Sequence, residues 1–411
     1  MSEQESSVEW RPSVDFGELM KQVEEAVEAV EPAEDLAVTV RQLAVEVLSR
    51  FREQLGVFGG RVYRRDGGVY RLIAAFPESR KPSGALELPV DYEPVELLLD
   101  SRTIYMDRDD PRTDRELEKD LGVKEFAAVE VGDRAYILAF DIEPDRDRND
   151  VLVSLSIVRH AFNQKLRQER IASVLREARR IQLSIQPRRM PAFGRFDIAA
   201  RTQSMEIVGG DFYDLIPLGD KILGVAVADV SGHGLPAALL VRDIHMGLRM
   251  GLSRDLKIQR VIERLDDIIH QSTLTSRFVS MFYGELSPSG AFIYVNAGHP
   301  PPYYLPGSGR PEPLTEGGSV LGPIPDATYD RGFVELEPGD LVVLYTDGVI
   351  EAENAAGKPF GSERLIEVVR RRRREPAKQV VQAVCDALAE YCGEVPRQDD
   401  RTVMVLRYPK R

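Results

Sequence analysis

"VAVADVSGHGLPAAL", residues 225–239, joins a run of small apolar residues to a helical pattern through an aspartate, two glycines and a histidine. The apolar run predicts a buried strand. A core strand gains nothing by ending on an ionisable residue, but a strand that delivers a carboxylate to a site does. The apolar residues of "LPAALLVRDIHMGLRMGL" predict a helix immediately after the turn. Outward from this stretch, from about 190 to 411, lie further strands: "FDIAARTQS", "GDFYDLIPLGDKILGVAVADV", "FVSMFYGELSPSGAFIYVNAG", "FVELEPGDLVVLYTDGV" and "RTVMVLRY". Helical patterns fill about 235–275, the stretch after Ser362, and "AKQVVQAVCDALAEYC". Many strands around long helices predict a layered or sandwich domain.

The aspartates of this region abut apolar strands. Asp211 lies in "VGGDFYD", Asp229 ends "VAVAD", Asp347 follows "LVVLY", and Asp399 and Asp400 precede "RTVMVL". One such aspartate reads as a turn or cap residue. Four such places in one domain read as a cluster, and clustered carboxylates repel unless cations neutralise them. Oxygen-only ligands select hard cations, Mg²⁺ or Mn²⁺. The adjoining glycines let backbone approach an ion.

"GGDFYD", "ADVSGHG", "NAGHPPPYYL", "YTDGVIEAEN" and "DDRTV", in that order, resemble the metal-dependent PPM family of protein serine/threonine phosphatases, in the bacterial branch represented by RsbU and SpoIIE. The resemblance implies an α/β/β/α sandwich with two Mn²⁺ or Mg²⁺ ions in a cleft at one edge. It implies that Asp229 bridges the ions and that Val230 lends its backbone carbonyl. Asp347 and Asp399 would hold the second ion, Asp400 ranking below Asp399, and Asp211 would hold metal-bound water. Asp214 is a plausible outer partner of the cluster. A bridged hydroxide would then attack phosphorus in line, with no covalent nucleophile. His233 stands four residues after Asp229, where eukaryotic relatives have their proposed acid two residues after, so it reads either as that acid or as a turn residue. His299 reads as structural. No arginine answers to the phosphate-holding arginine of the eukaryotic type. Relatives in this branch dephosphorylate a serine on a STAS-fold anti-anti-sigma protein within a partner-switching pathway. Two other readings stay open: a catalytically silent scaffold, and a metal-dependent phosphoesterase for small molecules.

Upstream, Leu19, Val23, Val27 and Val30 fall at helical spacing before Pro32, and Leu36, Val40, Leu43, Val47, Phe51 and Leu55 form a second stripe. The period then changes to two. "VFGGRVYRRDGGVYRLIAAF" predicts a hairpin turning at Asp66-Gly67-Gly68, and "EFAAVEVGDRAYILAFDI" another at Gly132-Asp133. "TDRELEKDLGV" between them predicts a short helix. This element order resembles a GAF-type sensory domain. From Val151 to Gln186 no glycine or proline interrupts a helical pattern. Its seam Ile171, Val174, Ala178, Ile181, Ile185 has 3-4-3-4 spacing, which fits a short coiled coil between two protomers. The expected organisation is an α+β multidomain chain. It comprises an acidic helical extension (1–35), a GAF-like domain (36–150), a linker helix (151–187) and the phosphatase domain (188–411).

The 411 residues carry 67 acidic and 54 basic side chains, a formal charge of −13. That balance argues against a general nucleic-acid or anionic-membrane binder, both of which require a basic face. No apolar run approaches the roughly 20 residues that span a bilayer, and "MSEQESSVEWRPS" lacks the basic and apolar segments of a signal peptide. Cys385 and Cys392, the two cysteines, share one helical stretch and are expected to be reduced. The expectation is a cytoplasmic protein.

Overall fold

The coordinates are a computed structural model that describes residues 12–78 (except 32 and 34), 87–107, 109–114, 125–144, 146–187, 189–252, 257–271 and 277–410. The chain divides into two compact units, Met1–Ser173 and Val174–Arg411. No described helix is long and apolar enough to cross a membrane.

In the first unit, α1 (Phe16–Glu28) and α2 (Leu36–Leu55) start on Asp15 and Asp35, whose carboxylates accept from backbone N–H groups of the first turn. The strands are β1 (Val57–Asp66), β2 (Val69–Phe76), β3 (Glu87–Pro89), β4 (Thr103–Met106), β5 (Phe126–Val131) and β6 (Tyr136–Ile142), with α3 (Glu93–Ser101) between β3 and β4. They form one antiparallel sheet of order β3-β2-β1-β6-β5-β4. Both expected hairpins form; Gly67 turns the first at φ 63°. The helix expected in "TDRELEKDLGV" falls mostly outside the described residues. One sheet face packs against α1, α2 and the start of α4 (Arg148–Ile185). Leu19, Val23 and Val27 of α1 enter the core that holds Leu43, Val47, Leu138, Leu155 and Phe162, so this helix is part of the unit rather than an extension before it. The other face packs Tyr63, Tyr70 and Ile137 against Leu98 of α3. The buried Arg61 and Asp141 pair there at 2.6 Å.

The second unit begins within α4, so the last turns of that helix belong to it and not to a separate linker. It continues through β7 (Asp197–Gln203), β8 (Asp211–Pro217), β9 (Leu223–Val230), α5 (Gly234–Leu252), α6 (Ile258–Gln271), β10 (Val279–Leu286) and β11 (Ala291–Ala297). After these come β12 (Tyr303–Leu305), β13 (Glu312–Pro313), β14 (Gly317–Gly318), β15 (Gly332–Glu335), β16 (Leu341–Tyr345), α7 (Asp347–Ile350), α8 (Gly361–Arg372), α9 (Ala377–Cys392) and β17 (Arg401–Arg407). One sheet runs β14-β11-β10-β9-β8, with β15 also on β11; the other runs β13-β12-β16-β17-β7. Three apolar layers separate four structural layers. Helices α5 and α6 cover the first sheet, the sheets cover each other, and α8 and α9 cover the second. This is the α/β/β/α order.

Side-chain alternation places the acids. On β9, Ala226, Ala228 and Val230 face the helices, while Val225 and Val227 face the opposite sheet. A period of two therefore turns Asp229 inward. On β8, Tyr213 and Leu215 face inward, and Asp211 shares their side. Asp211 and Asp229 are register partners at one end of this sheet. In the facing sheet β16 pairs with β17; Asp347 follows β16, and Asp399 and Asp400 precede β17.

Candidate metal centre

Five aspartates meet where the two sheets end. Asp211 is 2% exposed. Its Oδ2 accepts from the hydroxyls of Thr346 (2.8 Å), just past β16, and of Thr402 (2.6 Å) on β17, so two threonines at the end of the second sheet grip an acid of the first. Burial, and then the charges of Asp229 and Asp400, still push its carboxyl well above the usual range. Burial also raises Asp229 to about 7, with Asp347, Asp399 and Asp400 adding to the rise. Asp347 and Asp399 are raised, again chiefly by burial. Among the described residues none of the five has a lysine or arginine at ion-pair distance.

Asp400 has a different task from the other four. Its Oδ1 accepts from Met205 N–H and its Oδ2 from Gly210 N–H, both at 2.6 Å. The carboxylate thereby shapes the loop before β8 instead of facing the shared space with free oxygens. Glycine is required in that loop. A Cβ on Gly209 would lie 2.2 Å from Asp400 Oδ2, and one on Gly210 would lie 2.7 Å from the carbonyl oxygen of Val230. The absent Cβ lets the Val230 carbonyl stand beside the Asp229 carboxylate. Among the described residues, no three acidic, histidine or cysteine side chains already form a closed cage around one point. Like charges stand apart until a cation offsets them. The all-oxygen donors and the mutually raised carboxyls fit hard divalent ions.

The remaining residues divide. His233 Nδ1 lies 2.7 Å from Glu206 Oε1 on the exposed side of the metal loop, near enough to Asp399 to favour its ionised form. Asp214, expected as an outer partner of the cluster, is not one. It faces the helix layer, where Arg249 of α5 holds it through 2.9 and 3.0 Å hydrogen bonds. His299 is buried, and burial lowers its imidazole to about 3. Its Nδ1 is 2.9 Å from Ser280 Oγ, and Asn296 bonds its backbone on both sides, a structural role.

Sequence reasoning missed three supports. Thr346 and Thr402 are the first, flanking acids already singled out. Arg277 is the second, donating to the carbonyl of Ser231 in the metal loop at 2.9 Å. The third is Gln182 on α4, whose buried amide donates to Gly209 O (2.6 Å) and accepts from Gly209 N–H (3.2 Å). A polar residue that falls out of an apolar seam, as Gln182 does one place after Ile181, is the one signal the sequence carries for it.

The domain that carries this site is similar to known proteins. Residues 219–409 match the family described as stage II sporulation protein E (SpoIIE). The chain is 29% identical over 244 residues to the phosphoserine phosphatase RsbU of Bacillus subtilis, covering 58% of this chain and 71% of RsbU. It is 28% identical over 149 residues to the phosphoserine phosphatase RsbP of the same organism, covering 35% of this chain and 37% of RsbP. Among solved structures, the SiaA-PP2C domain of Pseudomonas aeruginosa superposes with a TM-score of 0.53 at 25% identity, covering 59% of this chain and 98% of that domain. Over the matched residues the C-terminal domain is thus similar to the SpoIIE family of PPM phosphatases, in the branch of RsbU and RsbP.

Proposed function

We propose that this SpoIIE-like domain is a divalent-metal-dependent phosphoserine phosphatase whose substrate is a phosphorylated STAS-fold anti-anti-sigma protein of a partner-switching pathway. The observation that carries the reading is the set of aspartates at the sandwich edge, which raise one another's pKa and, among the described residues, have no lysine or arginine at ion-pair distance. Asp229, Asp347, Asp399 and the Val230 carbonyl would hold two Mg²⁺ or Mn²⁺ ions. The ions, once bound, supply Lewis acidity and lower the pKa of attacking water. Asp211, fixed by Thr346 and Thr402, orients that water. Asp400 sets the loop that carries Asp211. His233, oriented by Glu206, stands at the mouth to hand a proton to the leaving serine oxygen.

The reading is tested with p-nitrophenyl phosphate and a phosphoserine STAS protein, each with and without Mn²⁺. Mn²⁺-dependent release of phosphate from both, lost in Asp229→Ala, is the expected result. Turnover of the small ester alone would make the protein a small-molecule phosphoesterase, and silence on both would make it a scaffold.

The regulatory part of the proposal assigns the first unit, as a GAF-like sensory domain, control over the site through α4. Gln182 supports it, because the helix holds Gly209, two residues from Asp211. Gln182→Ala should lower kcat about tenfold, since a displaced positioning contact costs that much or more; an unchanged kcat would remove α4 from the control of the site. A second copy of the chain is proposed to lie along the same helix. Ile171, Val174 and Ile181 of the expected seam are 62%, 53% and 48% exposed. Apolar residues at heptad-like spacing left in solvent call for a partner helix.

A further inference from the structure

Arg401 opens β17 and points away from the sandwich interior, on the same side as Val403 and Val405. It is 9% exposed. Its Nη2 lies 3.5 Å from Cys392 Sγ, a weak acceptor. Its buried Nε has no hydrogen-bond partner, and among the described residues no carboxylate lies at ion-pair distance. A buried guanidinium without a counter-charge is costly. The chain pairs another buried arginine, Arg61, with Asp141.

Arg401 lines an open groove of about 370 Å³ together with Gly348, Glu351, Glu353, Gln398 and Asp399. One end of the groove therefore reaches the candidate metal centre, through Asp399 and through the neighbour of Asp347. The lining also holds acidic residues, Glu351 and Glu353. Glu351 and Glu353 form no ion pair among the described residues.

We propose that this groove seats the stretch of substrate polypeptide that adjoins the phosphoserine. The part of the Arg401 guanidinium that faces the groove donates to a main-chain carbonyl of that stretch, and Glu351 and Glu353 select a segment with a lysine or arginine beside the phosphoserine. The acceptor is a carbonyl rather than a carboxylate because the two glutamates repel an acidic side chain. The inference rests on the phosphoserine-phosphatase reading and adds to it a sequence preference that the metal centre alone does not provide. It also gives the domain a substrate-holding arginine outside the metal cleft.

Steady-state kinetics of the full chain in Mn²⁺ test it. The probes are p-nitrophenyl phosphate and two phosphoserine dodecapeptides that differ in carrying lysine or glutamate beside the phosphoserine. The wild type should favour the lysine peptide about tenfold in kcat/KM, the scale of one partly exposed charge contact. Arg401→Met, which keeps length and burial, should raise KM for both peptides about tenfold with kcat retained. It should move KM for p-nitrophenyl phosphate far less. Glu353→Gln should narrow the preference between the peptides. An equal loss on peptide and small ester would make Arg401 a purely structural residue, and unchanged peptide KM would overturn its contact; either result ends the proposal. If Arg401→Met fails to fold, Glu353→Gln decides, and an unaltered preference overturns the groove. A wild type that turns over p-nitrophenyl phosphate but neither peptide would instead overturn the phosphoserine reading beneath it.

Discussion

Asp211 and Asp214 lie three residues apart on one strand, and both are buried, yet the chain treats them oppositely. Asp214 faces the helix layer and receives a two-pronged arginine from α5. Asp211 faces the sheet interface and receives two neutral hydroxyls, with Asp229 and Asp400 as its charged neighbours. The fold can thus neutralise a buried carboxylate from its own sequence, and does so on the structural face. On the other face it leaves negative charge uncompensated at the mouth of the sandwich. The same contrast separates Arg61–Asp141 in the first unit from the acid cluster in the second. A folded chain accepts that electrostatic cost where an external cation is to bind.

The largest expected difference between the two aspartates is in catalysis. Asp211→Asn should reduce Mn²⁺-dependent turnover of p-nitrophenyl phosphate by roughly 10²- to 10³-fold, the scale of removing a preorganised polar group. Asp214→Asn should retain most of it. Equal losses would show that the site extends to the helix face and would dissolve the contrast.

Stability should respond in the opposite sense. In metal-free protein near pH 8, Asp229→Asn removes a carboxylate held at about 7 by burial and by its acidic neighbours. It should stabilise the fold by roughly 1–3 kcal/mol. Asp214→Asn breaks the arginine pair and should destabilise by about 1–2 kcal/mol, the half-exposed Arg249 limiting the loss. Urea denaturation of the two variants measures both. Two losses of equal sign would mean that the acid cluster is satisfied without a cation.

The smallest effect is in pH dependence. A carboxyl raised to about 7 keeps its proton in the folded chain where the unfolded chain has released it. The folded state then binds more protons across that window, so this group's contribution to metal-free stability falls as pH rises from about 4 to about 7. Mn²⁺ competes with the same proton. The rise in Tm on adding Mn²⁺ should therefore grow by a few degrees between about pH 5.5 and pH 8. A Tm gain that shrinks with pH would place the ion elsewhere.

Much of this contrast could be read before the structure. Residues that end apolar strands announce themselves, and Asp211, Asp229, Asp347 and Asp399 were legible on that ground. The two hairpins of the first unit were legible because period two and a glycine turn are local signals. Direction was harder. Asp214 looked like a member of the cluster because the spacing "GGDFYD" says nothing about which face carries which charge until β8 is placed in its sheet. Asp400 looked like a lesser ligand, and its backbone bonds to Met205 and Gly210 join residues nearly 200 positions apart. Gln182 was hidden for the same reason: only tertiary packing brings it to Gly209. The placement of α1 within the first unit likewise depends on which stripe meets which sheet, and helical spacing alone leaves that open.

Gly209 and Gly210 carry a consequence for how relatives of this chain should be judged. With any side chain at Gly209, the new carbon would collide with Asp400, and at Gly210 with the carbonyl of Val230. A descendant could therefore keep all five aspartates and lose catalysis in a single step, by acquiring one methyl group. Checking a homologue for its acids would pass such a protein as an enzyme. Whether a member of the lineage still works, or has become a pseudoenzyme that only binds, is recorded in the two positions where nothing has been added.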